Sequence, residues 1–289
     1  MMLSPIKTLT TIAEVRRAVA DVRRSGRSIG LVPTMGALHD GHLRLVEQAR
    51  SHSDFVVVSS FVNPTQFGPN EDFRSYPRTP EADADLCARG GADLIFAPEV
   101  GEMYPVGPSS TTVDVSTLSR LLEGASRPGH FAGVATVVLK LFQIAIPDQA
   151  YFGTKDYQQL LVIRKMVDDL NVPVEIVPVQ TVREPDGLAM SSRNRYLDVE
   201  QRRAAVILWI SLKQAAKAVQ EGERDAERIR QILRESVGSE PLARLDYAEV
   251  ADSETLEPAR AVGPGSRTVA LLAVRVGPAR LIDNAPLPG

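Results

Sequence analysis

Ten residues, Pro33-Thr34-Met35-Gly36-Ala37-Leu38-His39-Asp40-Gly41-His42, join two stretches of different periodicity, and that join restricts what the chain can fold into. Before it, Ser28-Ile29-Gly30-Leu31-Val32 is a short apolar run with the character of a buried strand. After it, residues 43–50 place Leu45, Val46 and Ala49 on one face at helical spacing. The stretch is therefore a strand–loop–helix corner. Where a helix begins, the first backbone N–H groups lack intrahelical partners and the helix dipole is positive, so an anion is favoured. His39 and His42 can aim imidazole N–H donors at that anion, and Gly36 and Gly41 let phosphates approach the backbone. The same His-x-x-His spacing also suits a solvated or core-capping pair. Zinc is the weaker alternative, because no third ligand of suitable spacing stands out and the one cysteine, Cys87, is far away in sequence.

The flanking chain repeats the alternation. Thr11 to Arg24 carries Ile12, Val15, Ala18, Val19 and Val22 at helical spacing and stops near Gly26. Residues 54–62 are β-branched and nearly all apolar, as in a strand covered on both faces, and run into the turn-rich segment 63–68. A helix from about Thr79 to Arg89 leads to a strand at residues 93–97, stopped by Pro98. Residues 99–130 read as a loop-rich excursion. A helix at 131–146, a strand around 149–152, a helix opened by Gly153-Thr154-Lys155-Asp156 and a strand at 174–179 complete the series. Alternation over about 180 residues implies right-handed βαβ units and a parallel sheet with helices on both faces. Ligands in such sheets sit outside the carboxyl ends of the strands. Segments 34–42, 63–68 and 153–159 occupy those ends and should converge on one cleft.

From Val182 the texture changes. Residues 183–187 form a turn, followed by the polar Met190-Ser191-Ser192-Arg193-Asn194-Arg195. Asp198, with Gln201 three residues on, predicts a capped helix to about Gln220. A second helix is expected from Asp225 to Val237, with Gly238 as its C-cap, and strands at 245–250 and 268–276 in a small antiparallel sheet. The expected domains are residues 1–181 and 182–289.

Composition closes off several function classes. A net charge of −3 leaves no basic surface for holding nucleic acid through counterion release. A single cysteine excludes an intrachain disulfide and fits a reducing compartment. The N-terminus lacks the charged start and apolar core of a signal peptide, and the longest apolar stretch, 131–146, holds Lys140 and Gln143 and falls short of a membrane span. The expectation is a cytoplasmic enzyme that binds neither nucleic acid nor membrane.

Neither standard phosphate loop is present, since there is no Gly-x-Gly-x-x-Gly at the first helix and no Gly-x-x-x-x-Gly-Lys-Ser/Thr. The chain offers instead His-x-Gly-His at the first crossover and Met-Ser-Ser-Arg far downstream. This pairing resembles the nucleotidylyltransferase superfamily. Five stretches narrow the resemblance: Pro-Thr-Met-Gly-Ala-Leu-His-x-Gly-His, Phe-Val-Asn-Pro-x-Gln-Phe, Tyr-Pro-Arg-Thr, Phe-Gly-x-Lys-Asp-Tyr-Gln-Gln and Gly-Leu-Ala-Met-Ser-Ser-Arg-Asn. Together, over about residues 30–197, they are similar to the pantothenate synthetases, or pantoate–β-alanine ligases.

That resemblance implies an α/β fold with a Rossmann-like parallel-sheet nucleotidylyltransferase domain for ATP and pantoate, and a smaller α+β C-terminal lid domain whose closure would shield an acyl adenylate from water. It implies ATP and Mg²⁺ as cofactors, pantoate and β-alanine as substrates, and a homodimer. It places ATP contacts at Met35, Gly36, Ala37, Leu38, His39, Asp40, Gly41 and His42, at Gly153, Thr154, Lys155 and Asp156, and at Val182 and Met190. His42 is the implied proton donor. Lys155 then supplies a mobile positive charge, although a lysine at a helix start is also commonly just solvated. Asp156 suits ribose hydroxyls and, compatibly, an N-cap. Ser191, Ser192 and Arg193 offer hydroxyls and a guanidinium fork to the β- and γ-phosphates, where alone they would read as an ordinary loop. Gln66 and Gln159 are the expected pantoate readers, since a primary amide both donates and accepts, with Asn63, Arg127 and His130 beside them. Asp83 is the candidate Mg²⁺ ligand. Two competing readings remain: a nucleotidylyltransferase that adenylylates a phosphate ester and stops, and a non-catalytic nucleotide- or nucleic-acid-binding module.

Overall fold

A six-stranded, all-parallel sheet organises the first part of the computed structural model, which describes residues 6–69, 71–107 and 110–288. Its strands are β1 (Lys7–Leu9), β2 (Ile29–Thr34), β3 (Phe55–Ser60), β4 (Leu94–Phe96), β5 (Gln149–Gly153) and β6 (Glu175–Val179), in the order β1-β4-β3-β2-β5-β6. The order reverses beside β2, whose C-terminal end carries the histidine loop. That is the switch point at which parallel sheets of this kind leave a crevice.

The connecting helices follow from the sequence spacing. α1 (Ile12–Arg24) starts from a capping box in which Thr11 and Glu14 satisfy each other's backbone N–H groups. α2 (Asp40–His52) and α3 (Pro80–Gly90) pack on one face of the sheet, where Leu45, Val46, Ala49, Leu86 and Cys87 cluster with Val32, Val56, Val58, Ile95 and Tyr151. The intervening strand residues Leu31, Val57 and Ala150 are equally buried on the other face, because side chains alternate along a strand. α1 and α6 (His130–Ala145) pack against each other and against β2. The excursion at 99–130 contains two short helices, α4 (Val100–Met103) and α5 (Leu122–Ser126), and residues 108 and 109 within it lie outside the described residues. α7 (Tyr157–Asp169) leads into β6.

Beyond residue 180 a three-stranded antiparallel sheet, β7 (Ala243–Asp252), β8 (Thr268–Val276) and β9 (Ala279–Pro286), packs with three helices. The helix expected from Asp198 to Gln220 is two, α8 (Val199–Ala204) and α9 (Ile207–Gln220). The capping box at Asp198 and Gln201 is present, but i→i+3 bonds tighten the chain at Ala205 and Val206 and break the helix there. α10 (Ala226–Gly238) includes Gly238 as its last residue. Its C-cap is Ser239 at φ −76°, so the helix ends without the left-handed glycine expected from the sequence. The chain divides into two compact units, Met1–Thr154 with Gln158–Gln180, and Lys155–Tyr157 with Thr181–Gly289.

Candidate active site

In the first unit, the loop after β2 is shaped by its own backbone needs. Thr34 Oγ1 donates to the Ser59 carbonyl at 2.7 Å and accepts from Gly36 N at 3.1 Å. Gly36 and Ala37 then both take positive φ, +79° and +51°. A Cβ on Gly36 would lie 2.8 Å from Ser60 Oγ and 3.0 Å from Asp83 Oδ2, so the position needs glycine twice over. Asp83, buried in the first turn of α3, accepts from Ala37 N at 3.0 Å through Oδ2, and from Leu38 N at 2.8 Å and Thr79 Oγ1 at 3.0 Å through Oδ1.

Both histidines cap the helix that follows. His39 Nδ1 accepts from Gly41 N at 3.2 Å, and His42 Nδ1 accepts from His39 N at 3.3 Å, a capping box made of two imidazoles. Their rings are 4.1 Å apart and half-buried. A nitrogen that accepts carries no proton, so each neutral ring holds its hydrogen on Nε2. The result is a matched pair of Nε2–H donors at the positive end of a helix, a chemistry suited to phosphate oxygens.

The segment after β3 meets the same loop. Asn63, fully buried, caps a single 3-10 turn at Pro64–Gln66. Its Oδ1 accepts from Thr65 N, Thr65 Oγ1 and the Tyr104 hydroxyl, and its Nδ2 donates to Gln66 Oε1 and the Gly133 carbonyl. Asn63 thus orients Gln66, whose Nε2 donates to Met35 Sδ at 3.0 Å. Gly133 of α6 permits the close pass, since a Cβ there would come within 2.4 Å of the Thr65 carbonyl oxygen.

Arg127 and His130 complete this side. Arg127 makes a bidentate pair with Glu71, through Nε at 2.7 Å and NH2 at 2.6 Å, and its NH1 donates to His130 Nε2 at 3.1 Å. His130 Nδ1 must therefore carry the proton, which it donates to the Gln66 carbonyl at 2.8 Å. Burial, and then the adjacent guanidinium, push the His130 imidazole down to about 4. Burial alone would raise the Glu71 carboxyl, but the Arg127 hydrogen bond and charge outweigh it and hold Glu71 below its usual range. Cys87 offers no nucleophile, because burial and then the Asp83 charge push its thiol up to about 12.

Gly153 ends β5 beside β2, and Thr154 N donates to the Val179 carbonyl. Gln159 is half-buried on α7. Its neighbour Gln158 is buried and pins the excursion, accepting from Glu123 N and donating to the Leu118 and Leu121 carbonyls. Sequence reasoning did not single out Gln158, Glu71 or Tyr104. Gln158 lay inside a motif already quoted. The Glu71–Arg127 pair spans 56 residues and the Tyr104–Asn63 bond 41, separations that leave no periodic trace.

The second unit holds the remaining candidates. Lys155 Nζ lies 3.5 Å from Asp156 Oδ1, and the Lys155 carbonyl accepts from Asn284 Nδ2 at 2.9 Å. Ser191 caps the 3-10 turn Ser192–Tyr196, accepting from Arg193 N, and Ser192 is buried. Val182 accepts from Met190 N at 3.0 Å. Arg183 beside it is clamped by a bidentate pair with buried Asp283 and lies 3.8 Å over the Trp209 ring. Among the described residues no group of three or more His, Cys, Asp or Glu could hold a metal ion, and three of Asp83's acceptor positions are taken by protein donors.

A family model described as pantoate-beta-alanine ligase matches residues 7–286. A pantothenate synthetase from Moorella thermoacetica is 54% identical over 282 residues, covering 98% of this chain and 99% of its own. The crystal structure of a pantothenate synthetase from Thermus thermophilus superposes with a TM-score of 0.92 at 48% identity, over 98% of this chain and 100% of that one. A pantoate-beta-alanine ligase from Francisella tularensis, solved in complex with beta-gamma ATP and beta-alanine, does so with a TM-score of 0.80 at 34% identity, over 97% of each.

Proposed function

The chain belongs to the pantoate–β-alanine ligase family, and from that premise we propose that it joins pantoate to β-alanine using ATP, through a pantoyl adenylate, with release of AMP and pyrophosphate. The observation that carries the reading is the pair of imidazoles whose Nδ1 atoms already accept backbone N–H groups of their own corner. In the first step the pantoate carboxylate attacks the α-phosphorus of ATP as the bond to the bridging oxygen breaks and pyrophosphate leaves. A carboxylate is already ionised, so the step asks for in-line placement and neutralisation of phosphate charge rather than a strong base. Nε2–H donors at a helix start answer that demand. In the second step the β-alanine amine attacks the acyl carbon and AMP departs.

Within this proposal His39 and His42, with the backbone of residues 35–42, receive the phosphates, and His42 Nε2 is the donating atom. Lys155, Ser191, Ser192 and Arg193 add charge and hydroxyls. Gly153, Thr154, Val182 and Met190 supply backbone contacts, and Asp156 accepts from the ribose. Gln66 and Gln159 read pantoate, with Asn63, Arg127 and His130 fixing Gln66. The expected division of labour, ATP and pantoate on residues 1–181 and a lid of 182–289, belongs to the same proposal, as do a homodimer and a cytoplasmic location. No helix of the described residues is long and apolar enough to cross a membrane. Among the described residues no three His, Cys, Asp or Glu side chains form a cage for Mg²⁺, so the ion that accompanies ATP would be held chiefly by phosphate oxygens.

The test is AMP release from ATP and Mg²⁺ with pantoate and β-alanine omitted singly and together. AMP should form, with pantothenate, only when both are present. Pyrophosphate release with no free AMP even when β-alanine is present would overturn the ligase reading in favour of a simpler nucleotidyl transfer.

A further inference from the structure

Asp83 lies on α3, outside the strand-end loops, yet it contacts the signature loop more closely than any solvent role would require. Its side chain is 4% exposed. Its two oxygens accept the consecutive N–H groups of Ala37 and Leu38, and Thr79, the residue at the start of α3, turns its hydroxyl to Oδ1 rather than capping the helix. Consecutive backbone N–H groups after positive-φ residues form a concavity that attracts an anion. Here the anion is built in. The loop it grips contains Ala37, a non-glycine held at φ +51°, and opens directly into the His39–His42 capping box.

We propose that Asp83 is a positioning residue: its carboxylate occupies the Ala37–Leu38 amides, holds Ala37 in the left-handed conformation, and thereby sets the direction from which His39 and His42 face ATP. A carboxylate suits this place because it only accepts. Asparagine, of nearly the same shape, has a single oxygen and must turn its NH₂ toward either the Ala37 or the Leu38 N–H. The argument rests on ATP binding by this loop and not on the identity of the acid, which separates it from the ligase reading.

The test compares wild type with Asp83→Asn, each checked for native circular dichroism, by calorimetric titration with ATP in EDTA and with pantoate and β-alanine absent. A positioning role predicts that ATP binding without metal weakens about 10- to 100-fold in the variant, as misplacement of donors by an ångström would do. Ala37→Gly added to Asp83→Asn should recover part of the loss, since glycine reaches positive φ without Asp83. Mg²⁺ half-saturation of AMP formation should follow the wild type. If Asp83 ligates metal instead, binding in EDTA will be unchanged or tighter while the Mg²⁺ requirement rises, and the proposal falls. Should Asp83→Asn not fold, Thr79→Val removes one donor to Oδ1 and keeps the charge. It should weaken metal-free ATP binding in the same direction by a smaller factor, and an unchanged affinity would overturn the proposal. A wild type that binds no ATP would instead defeat the functional reading itself.

Discussion

A neutral imidazole has two nitrogens and one proton, so a bond at one nitrogen decides the chemistry at the other. His39 and His42 accept at Nδ1 and present Nε2–H, whereas His130 accepts from Arg127 at Nε2 and gives Nδ1–H to the Gln66 carbonyl. The first pair caps the start of α2, and the third ties α6 to the turn at Gln66. His130 yields a pH prediction with a definite sign. Its folded value, about 4, is below the ordinary 6.5, so the unfolded chain takes the proton first as pH falls. Stability therefore drops between about pH 6.5 and pH 4, by roughly 3 kcal/mol from this group if the burial is complete. Urea midpoints measured from neutral pH down to about pH 4 should fall more steeply in wild type than in His130→Gln, whose amide can make both bonds without titrating. Parallel slopes would refute the buried neutral ring. His39 and His42 were legible in the sequence as a pair at a helix start because their spacing coincides with one. The Glu71–Arg127 anchor was not, because a separation of 56 positions carries no pattern that pairs its members.

Whole elements were easier to read where their periodicity is long. α2, α3 and α6 were expected from the sequence close to where they lie. β1 escaped notice because three residues, two of them exposed, cannot show a period, and β9 because Arg, Asp and Asn interrupt its apolar alternation. The two-piece α8–α9 differs from the single expected helix because local i→i+3 bonds at Ala205 and Val206 override a pattern that runs through them. At this scale α6 passes tightly against the 3-10 turn that carries Gln66. Gly133→Ala would push a methyl into the Thr65 carbonyl, whose oxygen lies 2.4 Å from the added Cβ, and overpacking of this kind costs about 1–3 kcal/mol. The expected outcome is a lower melting temperature together with a raised KM for pantoate, while KM for ATP changes little. Equal effects on both substrates would mean that the turn serves the whole site rather than Gln66.

For the molecule as a whole, the proposed homodimer calls for a second copy of the chain in the functional particle. Sedimentation equilibrium should give twice 31.4 kDa at micromolar concentration, and a mass that stays at 31.4 kDa would remove the dimer from the proposal. The six-stranded sheet and the three-stranded sheet have separate cores, and the sequence changes texture from Val182. It did not announce that Lys155, Asp156 and Tyr157 group with the second unit. Asn284 holds the Lys155 carbonyl, and the Tyr157 hydroxyl donates to the Ser253 carbonyl. That fastening has a consequence in time. Asn284 is synthesised 129 residues after Lys155, so on the ribosome the strands up to β6 can pair while the lysine still lacks its tether. The group that would carry positive charge to a nucleotide is thus among the last parts of the chain to be secured, and a nascent enzyme stays without it until β9 has emerged.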